Sequence, residues 1–147
     1  MKAVIQRVKN ASVTVNGMIT GKIDKGLLVY LGVEERDENK DLYYISKKIA
    51  NLRIFTDDEG KMNRSVKQIS GSVLLISQFT LCADTKKGNR PSFNSAMEPV
   101  AAKRFYLELQ RILQQDFDLP VEKGSFGDHM DVLYTNDGPV TIIIESP

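Results

Sequence analysis

A short run of apolar residues, Val73-Leu74-Leu75-Ile76, places the strongest constraint on how this chain can fold. Runs of β-branched and aliphatic residues of this length are typical of a buried strand. Polar residues follow at once, beginning with Ser77. A second run, Ile142-Ile143-Ile144, predicts another buried strand that is entered through Gly138-Pro139. Because glycine allows unusual backbone angles and proline fixes φ, this pair predicts a shaped piece of backbone.

Strand signals dominate the remaining chain. Ser12-Val13-Thr14-Val15 alternates cleanly, and Asn16-Gly17 then predicts a two-residue hairpin turn. The run that begins at Val73 predicts a strand over residues 72–81. Two further strands are expected at residues 130–134 and 140–145.

Two segments have the period of a helix instead. The first covers residues 37–52, with Asp37 as the expected N-cap. The second begins at Glu98-Pro99, because proline suits the first helical position. Its expected buried stripe is Ala101, Phe105, Leu109, Ile112 and Leu113. The pattern predicts a single α+β domain over residues 1–147, with mostly antiparallel sheets in a barrel-like or sandwich core and two main helices.

Composition limits the possible classes of function. The 147 residues include one cysteine, Cys82, so no intrachain disulfide can form and a reducing compartment is expected. The first residues carry too few apolar side chains for a signal peptide or a membrane span, so we expect a cytoplasmic protein without a membrane partner. A net charge of +1 does not favour broad nucleic-acid coating. One local basic patch stands out, at Lys86, Lys87 and Arg90.

Few side chains suit known catalytic arrangements. A serine esterase would need the single histidine, His129, beside Ser77 and an acid such as Asp131, and nothing in the sequence joins them. One His and one Cys are too few for a zinc site, and no phosphate-binding or dinucleotide motif is present. We therefore expect no metal and no cofactor. The residues alone predict polar strand ends beside a basic loop.

Three blocks taken together resemble the D-aminoacyl-tRNA deacylase family, also called D-tyrosyl-tRNA deacylase. They are Ser77-Gln78-Phe79-Thr80-Leu81, Lys87-Gly88-Asn89-Arg90-Pro91-Ser92-Phe93 and Asn136-Asp137-Gly138-Pro139-Val140-Thr141. The opening Met1-Lys2-Ala3-Val4-Ile5-Gln6-Arg7-Val8 and Phe126-Gly127 are also similar to the family. The resemblance runs from end to end of the chain.

The resemblance implies a homodimer that hydrolyses the ester between a D-amino acid and the 3′-terminal adenosine of tRNA. Ser77, Gln78, Phe79 and Thr80 are the expected catalytic segment. The family implies a cis bond between Gly138 and Pro139, which would enter the partner subunit's pocket and reject L-amino acids by their side-chain direction. Achiral glycine should then be poorly excluded, so glycyl-tRNA is a further expected substrate.

Supporting roles are also implied by the resemblance. Arg7 and Asn136 are expected to brace the Gly138-Pro139 segment, and Lys86, Lys87 and Arg90 to meet the acceptor-end phosphates. The family favours the terminal ribose 2′-OH as a participant, with backbone N–H groups near Phe79 and Thr80 stabilising the oxyanion.

Three alternatives stay open at this point. Thr80 could be a covalent nucleophile, although no general base is evident. The chain could also be a non-catalytic module that binds tRNA 3′ ends, or a serine esterase that uses Ser77 and His129. DNA is not an expected partner.

Overall fold

The computed structural model describes residues 1–147 and contains eight strands, two α-helices and one short 3-10 helix. The elements follow in the order β1 (Lys2–Val15), β2 (Met18–Ile23), β3 (Gly26–Gly32), α1 (Asn39–Asn51), β4 (Phe55–Thr56), β5 (Met62–Arg64), β6 (Ser72–Ser77), the 3-10 helix (Phe79–Cys82), α2 (Pro99–Gln115), β7 (Val121–Lys123) and β8 (Asp131–Glu145). Neither α-helix is long and apolar enough to cross a bilayer.

Six of the strands form one sheet in the order β2-β1-β3-β6-β7, and β8 also pairs with β1. β1 is antiparallel to β2, β3 and β8, whereas the β3–β6 and β6–β7 pairs are parallel. The sheet curls until β2, at one end of the order, lies against β7 at the other. The prediction of an α+β fold with a barrel-like, mostly antiparallel sheet and two helices is confirmed.

The run at residues 73–76 lies at the centre of this sheet and is buried on both faces. Val73 and Leu75 join the larger core cluster, which packs between the sheet and the two helices. Leu74 and Ile76 join a smaller cluster on the opposite face. Since side chains alternate along a strand, a continuous apolar run is what burial on both faces requires.

Two boundaries differ from the prediction. The strand at residue 72 ends at Ser77, not at residue 81, because the chain turns into the 3-10 helix. The first helix begins at Asn39 and its N-cap is Glu38, not Asp37. The carboxylate of Asp37 instead accepts hydrogen bonds from the Glu34 backbone N–H, at 2.6 Å, and from the ammonium of Met1.

Two long strands replace shorter predicted ones. β1 runs unbroken from Lys2 to Val15, and β8 joins the strands predicted at residues 130–134 and 140–145 through the Gly138-Pro139 segment, beginning at Asp131. The Gly138-Pro139 segment interrupts the pairing of β8 with β1, and the register of the two strands shifts at that point. On α2, the buried residues are Ala102, Tyr106, Leu109, Ile112 and Leu113. Ala101 and Phe105 are only half-buried, so the first half of the predicted stripe was wrong by one residue.

Candidate active site

A cavity of about 640 Å³ opens where β6 ends beside the start of α2. Twelve of its 19 lining residues are hydrophobic, which is typical of a site that holds a small organic group. We call it the β6 cavity. Ser77, Gln78 and Phe79 line it, whereas Thr80 lies just outside its wall.

The end of β6 is held by backbone hydrogen bonds. The N–H of Gln78 donates to the carbonyl of Leu31 on the neighbouring β3, at 2.8 Å. The 3-10 helix then packs onto the end of β3, where Gly32 leaves room for it. A Cβ at Gly32 would lie 2.9 Å from the Cβ of Leu81, closer than real Cβ atoms come. The segment from 77 to 82 is thus fixed by the core of its own chain.

Two backbone amides of this segment have no hydrogen-bond acceptor within the protein. Phe79 and Thr80 begin the 3-10 helix, and the first N–H groups of a helix have no partner within it. No loop or side-chain acceptor is recorded for either amide. The Gln78 side chain donates from Nε2 to Oγ1 of Thr80, so this hydroxyl is held in place by its neighbour.

Tyr106, in the core, supports β6 through a hydrogen bond. Its hydroxyl donates a hydrogen bond to the carbonyl of Leu75 at 2.8 Å, and its ring packs 5.6 Å from that of Phe126. Burial raises the pKa of this phenol well above its usual range, so it stays a neutral donor. No sequence pattern singles out Tyr106 as part of the site. The only signal is its spacing four after Ala102 and three before Leu109, which equally fits an ordinary core aromatic.

The Gly138-Pro139 segment lies elsewhere. Its peptide bond is cis, Gly138 has a φ of +132°, and both residues are exposed. Neither lines the β6 cavity of its own chain. A Cβ at Gly138 would lie 3.0 Å from Nη2 of Arg7 and 2.9 Å from Cγ2 of Val140, so only glycine fits this backbone without a shift.

Side chains from both strands hold this segment. Arg7, only 9% exposed, donates from Nε to the Asp137 carbonyl at 2.9 Å and from Nη1 to the Ile54 carbonyl at 2.6 Å. Asn136 accepts from the Val140 backbone N–H at 3.0 Å and donates to Oγ1 of Thr141 at 3.2 Å. The structure thus places Arg7 and Asn136 together with the Gly138-Pro139 segment.

The basic loop projects from beside the cavity. Two backbone hydrogen bonds between Asp84 and Ser92, at 2.8 and 3.0 Å, close its base. Phe93, at its end, lines the cavity and packs edge-on against Phe79 at 5.1 Å. Lys86, Lys87 and Arg90 are all exposed in the loop, and none forms an ion pair.

Comparison with known proteins identifies the family. Residues 4–145 match the family model described as D-Tyr-tRNA(Tyr) deacylase. The chain belongs to the D-Tyr-tRNA(Tyr) deacylase family. A D-aminoacyl-tRNA deacylase from Chloroherpeton thalassium is 50% identical over 147 residues, which cover 100% of this chain and 97% of the relative. The chain is therefore an enzyme that deacylates D-aminoacyl-tRNA, and the reading as a non-catalytic module was wrong.

Two solved structures are similar to this deacylase. One, titled c-Myc DNA Unwinding Element Binding Protein, has a TM-score of 0.94 and 43% identity, and the match covers 100% of this chain and 99% of the other. The second, titled as a structural analysis of a probable eukaryotic D-amino acid tRNA deacylase, has a TM-score of 0.76 and 98% coverage of both chains. At 17% identity, this second match shows the shared fold alone.

The remaining candidate residues do not form a second catalytic centre in the deacylase. His129 and Ser77 both line the β6 cavity, but no hydrogen bond joins them. The His129 side chain is 94% exposed, and its nearest acid is Asp131 at 3.7 Å. Cys82 is buried and burial raises the pKa of its thiol, which disfavours the reactive thiolate. No three His, Cys, Asp or Glu side chains gather where they could hold a metal ion.

Proposed function

We propose that the enzyme works as a homodimer in which the Gly138-Pro139 segment of one subunit completes the β6 cavity of the other. The observation that carries this proposal is the separation of the two signature segments within one chain. The catalytic segment lines the β6 cavity, while Gly138 and Pro139 are exposed and braced away from it. A second copy can bring the two segments together.

The exposed apolar residues support the same assembly. On β8, the strand that carries Gly138 and Pro139, Leu133 is 76% exposed and Ile143 is 68% exposed. Large exposed apolar side chains that share a surface are typical of protein interfaces.

The proposed filter selects chirality by exclusion. Backbone carbonyls cannot swing aside as a side chain can, and Arg7 fixes the carbonyl of Asp137, next to Gly138. An L side chain directed at this backbone would clash, whereas a D-aminoacyl group would present its α-hydrogen there. Such a filter detects the direction of the side chain and not its identity. Glycyl-tRNA has no side chain to reject and is therefore a second proposed substrate.

Hydrolysis requires a water molecule, a polarised carbonyl and an activating group. We assign the oxyanion to the free N–H groups of Phe79 and Thr80. The only histidine that lines the cavity, His129, has a largely exposed side chain and no hydrogen bond to this segment, so the ribose 2′-OH of the terminal adenosine is the proposed participant. Water adds to the ester carbon and gives up a proton to the ribose 2′-OH, which passes its own proton to the 3′-oxygen; the bond between the ester carbon and that oxygen breaks, and the 3′-oxygen leaves as a hydroxyl. Ser77, Gln78 and Thr80 position the substrate.

The basic loop is the proposed contact for the acceptor end of tRNA. Lys86, Lys87 and Arg90 carry no carboxylate partner, so their charges are available to phosphates. Phe93, at the end of the basic loop, lines the β6 cavity, so the loop adjoins the cavity. The cytoplasmic location remains a prediction.

The deciding experiment compares D-tyrosyl-tRNA with L-tyrosyl-tRNA on the same enzyme and the same tRNA. Fast release of D-tyrosine with the L-ester nearly intact supports the filter, and rapid hydrolysis of glycyl-tRNA extends it. Equal D and L rates would remove the role of Gly138 and Pro139 while leaving an esterase.

Two further measurements test the assembly and the chemistry. Sedimentation equilibrium should give a mass twice that of the chain, and a monomer that rejects L-esters would contradict the cross-subunit filter. A substrate that ends in 2′-deoxyadenosine should bind but react slowly. An unchanged rate on it would remove the ribose hydroxyl from the mechanism.

A further inference from the structure

A second groove borders the β6 cavity, formed by α2, β7 and the loop that follows β7. We propose that this α2–β7 groove binds the RNA backbone immediately 5′ of the terminal adenosine, with Lys103 and Lys123 each contacting a phosphate. The proposal rests on the proposed function, because a tRNA held by its 3′ end supplies this ligand.

Space within the cavity motivates the proposal. A cavity of about 640 Å³ is of the size that holds one drug-sized ligand, such as an aminoacyl-adenosine. The nucleotides before the adenosine must therefore continue along the protein surface. The α2–β7 groove, of about 540 Å³, begins at the same wall, because Tyr106 and Phe126 line both spaces. Tyr106 is buried and Phe126 is half-buried, so the two side chains form a wall between the spaces, and a chain that crosses the cavity rim over Phe126 would next meet the groove.

The charges in the groove suit a polyanion. Lys103 and Lys123 line it, and neither ammonium forms an ion pair with a carboxylate. The only acid among the lining residues is Glu122, so the groove carries more positive than negative charge. Gln110 adds a neutral hydrogen-bonding group, whereas the hydroxyls of Thr20 and Ser125 already donate to the Val13 carbonyl and to the Asp128 carboxylate. Unpaired lysines beside a neutral donor are what phosphate contacts along a single strand require.

Two other large grooves suit a polyanion less well. Between α1 and α2, Arg111 is already paired with Glu108, at 2.7 Å, and lies 3.9 Å from Asp116. The groove beside the start of α1 is lined by four acidic side chains and only two basic ones, Arg36 and Lys40, so its side chains carry a net negative charge that disfavours phosphates. Neither of these grooves shares a wall residue with the β6 cavity.

The test compares two substrates in two double variants that lose the same charge. Lys103→Ala with Lys123→Ala removes the groove lysines. Lys25→Ala with Lys47→Ala removes two other exposed, unpaired lysines and serves as the matched control. The substrates are D-tyrosyl-tRNA and the D-tyrosyl ester of adenosine alone, which fills the cavity without reaching the groove. KM, kcat and the dependence of KM on salt are measured for each pair.

For the groove variant, we expect KM for D-tyrosyl-tRNA to rise roughly tenfold, with kcat within about twofold. The slope of log KM against log salt concentration should fall by about 0.7 for each lysine removed. KM for the adenosine ester should not change. If the double variant folds poorly, Lys103→Ala alone, at an exposed helical position, should give about half of the change in slope.

Several results would contradict the proposal that the α2–β7 groove binds RNA phosphates. An equal rise in KM for both substrates would place the effect in the cavity, and an equal rise in the control variant would make it a general charge effect. An unchanged KM for tRNA would reject the phosphate contacts directly. If the wild-type enzyme hydrolyses neither ester, the proposed function itself is wrong. If the wild-type enzyme is active and the groove variant has the same KM, only the proposed phosphate contacts of Lys103 and Lys123 are wrong.

Discussion

The two signature segments of this enzyme are held in place in opposite ways. Residues 77–82 are fixed by backbone hydrogen bonds to adjacent β3 and by close packing against Gly32. Gly138 and Pro139 interrupt a strand ladder and are held by the Arg7 and Asn136 side chains, of which Arg7 lies 130 positions away from Asp137. The proposed catalytic segment thus depends on the core of the fold, and the proposed filter depends on a few polar bonds.

This difference predicts that the two halves of the site can be damaged separately. A substitution that breaks the polar bonds should disturb the filter and leave the end of β6 in place. A substitution beneath β6 should weaken the whole fold together with the catalytic segment.

The largest effect is expected for Arg7→Ala. This change removes two hydrogen bonds to backbone carbonyls and the 3.4 Å ion pair with Asp137, and the Ile54 carbonyl stays buried without a donor. We expect a loss of about 3 kcal/mol in the free energy of unfolding, measured with urea. The ratio of the D-tyrosyl-tRNA rate to the L-tyrosyl-tRNA rate should fall by up to about 100-fold, because the misplaced filter no longer excludes L-esters.

Arg53→Ala is the matched control, since Arg53 also donates from Nε to a backbone carbonyl, that of Asn63, but at an exposed site. The free energy of unfolding should fall by less than about 0.5 kcal/mol, and the D/L ratio of hydrolysis rates should not change. Similar losses in both variants would show that Arg7 has no special link to the filter.

Tyr106→Phe tests the opposite half of the site. The variant removes the hydroxyl donor of the buried Leu75 carbonyl, which keeps its hydrogen bond from the Gly124 N–H at 3.0 Å, and it should lose about 1 kcal/mol of stability at neutral pH. Relative rates on D- and L-tyrosyl-tRNA should stay unchanged, because the filter is untouched. A change in the D/L ratio would mean that the two halves are coupled.

The same phenol makes stability fall at high pH. Because its folded-state pKa is raised, the unfolded chain loses this proton first, above its ordinary pKa of about 10, while the folded protein keeps it. Tyr106 then contributes a loss of about 1.4 kcal/mol per pH unit. Urea unfolding between pH 9 and pH 11 should show a shallower fall in Tyr106→Phe, and the exposed Tyr43→Phe should match the wild type. Burial also raises the pKa of Tyr30, to about 12, so the Tyr106→Phe variant should still lose some stability as the pH rises.

The contrast also explains what sequence patterns could predict. The strand at residues 73–76 was predicted because its apolar run is local and is buried where it lies. The bracing by Arg7 came only from family resemblance, since a bond across 130 residues leaves no periodic signal. Tyr106 was missed because a hydrogen-bonded core tyrosine has the same spacing as an apolar residue. Residues 78–81 were predicted as strand, but the chain leaves the strand after Ser77 and forms the 3-10 helix. This turn depends on tertiary packing against Gly32, which has no local sequence signal.

A smaller effect on the filter is expected for Asn136→Ala. The variant removes the acceptor of the Val140 N–H, next to Pro139, and should cost about 1 kcal/mol. The D/L ratio of hydrolysis rates should fall a few-fold, by about 5-fold at that energy. Asn51→Ala, which removes an exposed bond to the Lys47 carbonyl, is the control and should leave the ratio unchanged. An unaltered ratio in Asn136→Ala would leave Arg7 as the sole brace.

Thr80→Ala should have the smallest effect, and it separates positioning from covalent catalysis. The exposed hydroxyl accepts one hydrogen bond from Gln78, and the proposed oxyanion contact uses the Thr80 backbone N–H, which alanine retains. Loss of one exposed hydrogen bond predicts a kcat within about fivefold of wild type. A nucleophilic hydroxyl would instead make the loss about 10⁴-fold or more, with Thr80→Ser active. Single-turnover hydrolysis of D-tyrosyl-tRNA by the three proteins, with tRNA binding measured in parallel, distinguishes these outcomes. If Thr80→Ala is inactive but still folds and binds tRNA, the Thr80 hydroxyl is the nucleophile, and the end of β6 does more than position backbone amides.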